Sequence, residues 1–595
     1  MSRPKPASWF QHIAPRLLIL GALVLPAGCA HNAPRNPAPP ENELTTEAPE
    51  DPQTTAEESE QATVLPKQEL TEKLLYEYLL AEIAGQRGNL SLSAQAYVDL
   101  AKRTRDPRIA RRATEIALYA RMNDAAIEAA QIWHDADPHS TRALQALSGL
   151  LVAAGHYDEA LPNLKELLAD SASDPAGGFT QLSRTLANAK DKHAALKLVQ
   201  SLASEHPALP EAHLAVARAA VGAGEDKIAL KEVRKARELR PDWEAAVLLE
   251  AELLQKVSAD QALTLLSDHL RKYPGARETR LAYARMLVTQ KRFADARAEF
   301  QKLMDSVPGG SDMAFAVALL SLQLKDYDAA EKYLKGLLDG QYRDKDSVLL
   351  YLGQVAEEKK DFAEALRWYG KVGEGEQYLQ AQIRYAQVLA RQGKLDEARA
   401  RLQQAAAGNS QQRVQLILAE AQILREADRP KAAFDLVGRA LARLPDNPEL
   451  LYDYAMLADK IQRIDILETS LRKLIELRPE NAHAYNALGY SLAERNLRLP
   501  EARQLIEKAL KLAPEDSFII DSMGWVLYRM GDLKDALGYL RRAFAGRPDP
   551  EIAAHLGEVL WKLGERGEAE RVWDDAGREN PDNETLVNTI KRLKR

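Results

Sequence analysis

Residues 515–548 read EDSFIIDSMGWVLYRMGDLKDALGYLRRAFAGRP, and this stretch decides the fold. Its skeleton is Ile520-x-x-Met523-Gly524-x-x-Leu527, followed by Ala536-x-x-x-Leu540, Ala543 and Pro548. The preceding stretch gives Tyr485, Leu488, Gly489, Leu492, Ala502, Ile506, Ala509 and Pro514 in the same order. The following one keeps Leu556, Gly557, Leu560, Ala569, Trp573, Ala576 and Pro581. Pro514 to Pro548 is 34 residues, as is Pro445 to Pro479. Apolar residues at helical spacing predict two helices per period. Proline closes the second, because the residue before it is pushed out of the helical region. Upstream, Ser183, Ala195, Leu202 and Pro207 stand 12, 7 and 5 residues apart. Ala217/Ala229/Ala236/Pro241, Ala284/Ala296/Leu303/Pro308 and Ala421/Ala433/Ala440/Pro445 keep those offsets.

A fixed period of this length marks a repeat array. The unit resembles the tetratricopeptide repeat (TPR), a helix–turn–helix. That resemblance implies an all-α solenoid, a right-handed superhelix of about 15 units from residue 71 to 581, with a last helix near 583–595. Small residues such as Gly524 and Ala536 let the two helices of a hairpin approach, and Leu527 and Leu540 fill the groove to the next. Asp532, Asp326, Asp361 and Asp396 fall in the turns, where they are expected to cap the second helices. From Gly489 to Ala502 the spacing is 13, so one extra residue belongs in the turn around Leu497–Pro500.

The front of the chain is different. Residues 1–29 carry +3, residues 30–66 carry −7, and the long body carries only −3 of the total −7. A basic start, an apolar run from Leu17 to Leu25 and the end Pro26-Ala27-Gly28-Cys29 give the layout of a secretory signal peptide over residues 1–28. Small residues directly before a cysteine resemble the bacterial lipobox, departing from it in Pro26 where leucine is usual. The resemblance implies that Cys29, the only cysteine of the chain, is acylated, and that with Ala30 after it the protein goes to the outer membrane, facing the periplasm. One cysteine closes no intramolecular disulfide. Residues 29–66 then form a Pro- and Glu-rich tether with too little apolar surface to offset its ordering entropy. The TPR region is expected to fill 67–595.

No HExxH, GxxxxGK[ST], GxSxG or strand-borne GxGxxG occurs, and the repeats leave no room for a catalytic domain. No enzyme activity, cofactor or metal site is expected. The mild acidity argues against nucleic acid. Eleven histidines are scattered and read as surface or groove residues, and Glu357-Glu358 read as a solvated turn. The Arg103–Arg112 stretch reads as a basic patch, a solvated helix face in preference to a dock for an acidic partner. What remains is a surface. In the TPR family the first helices line the concave face, and in the last units those helices offer Asn486, Tyr490, Trp525, Tyr528, Arg529, Trp561 and Lys562. Rigid rings beside cations and amides suit protein binding, although each ring has packing between repeats as its alternative.

Residues 79–88, 115–120, 521–528 and 552–560 resemble the proteobacterial outer-membrane TPR lipoproteins. The similarity extends to the pseudomonad adaptors that bind and activate a periplasmic carboxyl-terminal processing protease and present cell-wall (peptidoglycan) hydrolases to it. The implied function is a non-catalytic adaptor held to the membrane by lipid. A structural factor in envelope assembly, for outer-membrane proteins, pilus secretin or polysaccharide export, is the alternative.

Overall fold

The computed structural model describes residues 65–594 apart from 171–174, 187–188, 307–309 and 341. The signal peptide, Cys29 and all of the tether but residues 65 and 66 lie outside the described residues. Thirty-one helices, numbered α1 to α31 in chain order, and no strand occupy the described part. The first, α1 (Glu72–Gln86), is capped by Thr71, whose side chain accepts from the Leu74 N–H. Taken in pairs the helices give fifteen helix–turn–helix units, and α31 (Glu584–Leu593) closes the series. Two compact units are distinguished, one ending with α14 (Phe293–Ser306) and one beginning with α15 (Ser311–Gln323).

The signature positions explain the packing. In α27 (Ser517–Met530), a Cβ on Gly524 would stand 2.6 Å from Leu540 of α28 (Leu533–Gly546). A Cβ on Gly489 in α25 (Ala482–Glu494) would stand 2.7 Å from Ile506 of α26 (Leu499–Leu512). One on Gly557 in α29 (Pro550–Leu563) would overlap the indole of Trp573 in α30 (Arg566–Glu579), and one on Gly353 would overlap the ring of Tyr369. Each glycine is therefore the space that its partner's large side chain fills. The turns follow the sequence in part. Asp326, Asp361 and Asp532 accept from the backbone N–H of Ala329, Glu364 and Asp535 at 3.3, 3.1 and 3.3 Å. Asp396 does not cap: Lys394 holds the cap position of α20 (Leu395–Gln404), and Asp396 lies inside its first turn. The cap stands four residues before the signature alanine, and Asp396 stands only two before Ala398. The extra residue before α26 is taken up by Asn496 and Arg498, both left-handed at φ 55° and 44°.

Buried carboxylates recur on the first helices. Glu250 in α11 (Glu244–Gln255) accepts from Arg234 and Arg237 of α10 (Asp226–Leu239) at 3.0 and 2.6 Å. Glu420 in α21 (Ser410–Glu426) accepts from Arg399 of α20 at 2.9 Å. Glu357 in α17 (Lys345–Glu358) takes the Tyr369 hydroxyl at 2.8 Å and Arg391, the last residue of α19 (Tyr378–Arg391), at 2.5 Å. Glu357 is thus buried and paired and does not belong to a solvated turn, whereas Glu358 is exposed. The sequence pair gave no sign of this, because the arginine lies 34 residues on. The arginines of 103–112 are likewise all engaged. Arg103 pairs with Glu77, Arg105 with Asp135 (3.7 Å), Arg108 with Asp106 (2.7 Å), and Arg111 and Arg112 with Glu115 (2.9 and 3.6 Å).

Candidate functional site

The second unit contains a groove of about 1680 Å³, lined almost entirely by first helices. On each, residues three or four apart share the free face while the remaining stripes bind the neighbouring helices. Tyr452, Met456 and Lys460 come from α23 (Pro448–Lys460), and Asn486, Tyr490 and Glu494 come from α25. Phe518, Trp525 and Arg529 come from α27, and His555 and Glu558 from α29. Thr585, Asn588 and Arg592 of α31 form part of the wall.

Trp525 is the hub. Its ring, 4% exposed, stacks on His555 at 4.1 Å between centroids, and its Nε1 donates to Glu494 at 2.8 Å. Arg529 lies over the same ring at 5.6 Å and donates to the Asn496 side chain at 2.7 Å. Tyr490 stands 6.1 Å from His555. Asn486 is 6% exposed, and its Oδ1 makes no hydrogen bond. A buried amide oxygen without a donor costs free energy on the order of 1–3 kcal/mol.

Beneath the ring lies an ion pair. His555 Nδ1 is 2.9 Å from Asp521 Oδ2, and both side chains are buried. Burial opposes a charged imidazole. The Asp521 carboxylate and its hydrogen bond, helped by Glu494 and Glu551, outweigh that and take His555 up to about 9. Burial pushes the Asp521 carboxyl upward, and His555 pulls it back. The pair therefore retains its proton at neutral pH. Glu558, also buried, accepts from the Tyr528 hydroxyl and from Arg592 Nη1, each at 2.9 Å, tying α27 and α31 to α29.

Of the residues expected from sequence, Asn486, Tyr490, Trp525 and Arg529 meet in the groove. Tyr528, Trp561 and Lys562 do not line it. Tyr528 binds Glu558, and Trp561 packs 5.6 Å from Trp573 with Arg566 over its ring at 5.0 Å. Lys562 is exposed in the last turn of α29. His555 lines the groove, in keeping with the reading of histidines as surface or groove residues, but its buried pairing with Asp521 escaped that reading. A signal was present: Asp521 and His555 are 34 residues apart, hence at the same repeat position on successive first helices. Among the described residues no group of three or more His, Cys, Asp or Glu could hold a metal ion.

The model of the tetratricopeptide-repeat family matches residues 252–311, 315–377, 468–517 and 522–584. A curated TPR repeat-containing protein of Pseudomonas aeruginosa is 36% identical over 495 residues, which span 82% of this chain and 82% of that one. Among solved structures, a thermophilic TPR protein of Thermus thermophilus is 25% identical, covering 30% of this chain and 99% of its own, with a TM-score of 0.28. A tetratricopeptide repeat protein of Parabacteroides merdae is 17% identical over 42% of this chain and 99% of its own, with a TM-score of 0.35.

Proposed function

Because this chain belongs to the tetratricopeptide-repeat family, we propose that it is a non-catalytic scaffold that holds protein partners in the groove around Trp525. The observation that carries this reading is the groove floor. The Trp525 ring is fixed by its hydrogen bond to Glu494 and its stack on His555, in a groove also lined by Asn486, Tyr490 and Arg529. The finer reading is a periplasmic adaptor, anchored in the outer membrane through acylated Cys29. It binds and activates a carboxyl-terminal processing protease and delivers peptidoglycan hydrolases to it. The lipobox-like end of the apolar run and the resemblance to pseudomonad TPR lipoproteins support it. Crosslinking the full chain in a periplasmic extract, followed by mass spectrometry, tests the partner. A serine protease recovered with cell-wall hydrolases is expected, and secretin or barrel-assembly subunits in their place would overturn the adaptor reading. Trp525→Ala should lower that capture severalfold with helicity unchanged. Equal loss of helicity and capture would assign Trp525 to the core alone.

A further inference from the structure

The N-terminal end of the array carries an apolar face that the repeats do not use. Ten of the seventeen exposed large apolar side chains among the described residues fall between Leu65 and Tyr119, and the other seven are spread from Leu239 to Leu563. On α1, Leu75, Leu79 and Ile83 recur every four residues with Tyr76 beside them, forming one stripe exposed by 43, 47, 46 and 65%. Two of the three acids of α1 are drawn off that stripe, and the third, Glu72, stands exposed at its N-terminal end. Glu82 takes the Tyr97 hydroxyl and Glu77 takes Arg103, both on α2 (Leu90–Thr104). A terminal repeat ordinarily presents a polar outer face, so an apolar one of this extent has a surface to cover it.

We propose that this face rests on the bilayer, as a second membrane contact beside the lipid at Cys29; the proposal builds on the lipoprotein reading. The position of the chain end selects this occupant. About 40 residues separate Cys29 from Thr71, and α1 is the first described helix after the anchor. The residue types agree. Aliphatic side chains enter the acyl boundary, while tyrosine suits the headgroup level. Lys73 and Arg87, exposed near the two ends of α1, have the length to reach headgroup phosphates.

Cys29 is the only native cysteine, so under the anchor reading an introduced one gives a unique label. The acylated full chain bearing Ile83→Cys or Val257→Cys, each with a fluorophore, is placed on vesicles of phosphatidylethanolamine and phosphatidylglycerol containing nitroxide lipid. Val257 is 82% exposed and lies far along the chain. At least twofold stronger quenching at position 83 is expected, and it should vanish in a Tyr76→Glu, Leu79→Glu background that still floats with the vesicles. Equal quenching on a floating chain overturns the face and leaves the anchor standing. A chain that does not float refutes the anchor and the face together. A label at 83 shielded from both nitroxide lipid and aqueous iodide, on a particle of twice the chain's mass, would give the face to a second copy and overturn the proposal.

Discussion

Glu551 sits in the first turn of α29, 6% exposed, with its Oε1 lacking any hydrogen-bond donor. Burial raises its carboxyl to about 7. The charge of His555 opposes the rise, and Asp549 and Asp521 add to it. A carboxyl raised in the folded state contributes fully below its unfolded pKa, about 4.3, and loses that contribution as pH climbs through about 7. The protein should therefore lose on the order of 2–3 kcal/mol from this site between pH 5 and pH 8.5. In Glu551→Gln that loss should disappear, read as urea midpoints across the range. Parallel pH curves for the two proteins would show that the carboxyl does not titrate there. His555 has the same sign in a higher window: its contribution is complete below its unfolded pKa, about 6.5, and is lost as pH climbs through about 9. The two groups share one helix four residues apart and respond to pH in different windows.

At the scale of the helix, three of the four expected aspartate caps are made, and the fourth shows what sets them. The cap position of α18 (Phe362–Tyr369) is Asp361, with φ −86° and ψ 78°, and that of α20 is Lys394, with φ −87° and ψ 58°. The backbone is nearly the same, and only the side-chain acceptor is missing. Lys394→Asp should stabilise by about 1 kcal/mol and Asp361→Ala should destabilise by a similar amount, measured by urea unfolding. A neutral Lys394→Asp would mean that this turn cannot direct the carboxylate onto the helix N–H groups. The hairpins themselves were legible because the 34-residue period places glycine, alanine and proline at fixed offsets. Even the extra residue at Asn496–Arg498 showed as a spacing of 13. The pairings across the stack were not legible, since Asp521 and His555, or Glu357 and Arg391, are neighbours only once successive repeats are superposed. Which rings face the groove was legible in part. Trp525 and Tyr528 are three residues apart, yet only Trp525 lines it.

Within each of the two units, contacts join a helix to those within about two positions along the chain, as in α25 with α26 and α27 or α29 with α30 and α31. Such a stack is stabilised by its units and their nearest interfaces, so a defect should stay local. Gly557→Ala drives a methyl into the indole of Trp573 and should cost about 1–3 kcal/mol, partly recovered by adding Trp573→Leu. Hydrogen exchange should then rise in α27 to α31 and remain unchanged in α1 and α2. A uniform rise would show one cooperative unit instead. The buried glutamates add a consequence for the order of the repeats. Glu250, Glu357 and Glu420 take arginines from an adjacent hairpin, and Glu558 takes one from the closing helix α31. Excising one hairpin, or transplanting a copy of it elsewhere, would leave a carboxylate stranded in the interior. The hairpins share one period, yet those that carry these glutamates are not interchangeable: each is addressed to its neighbour.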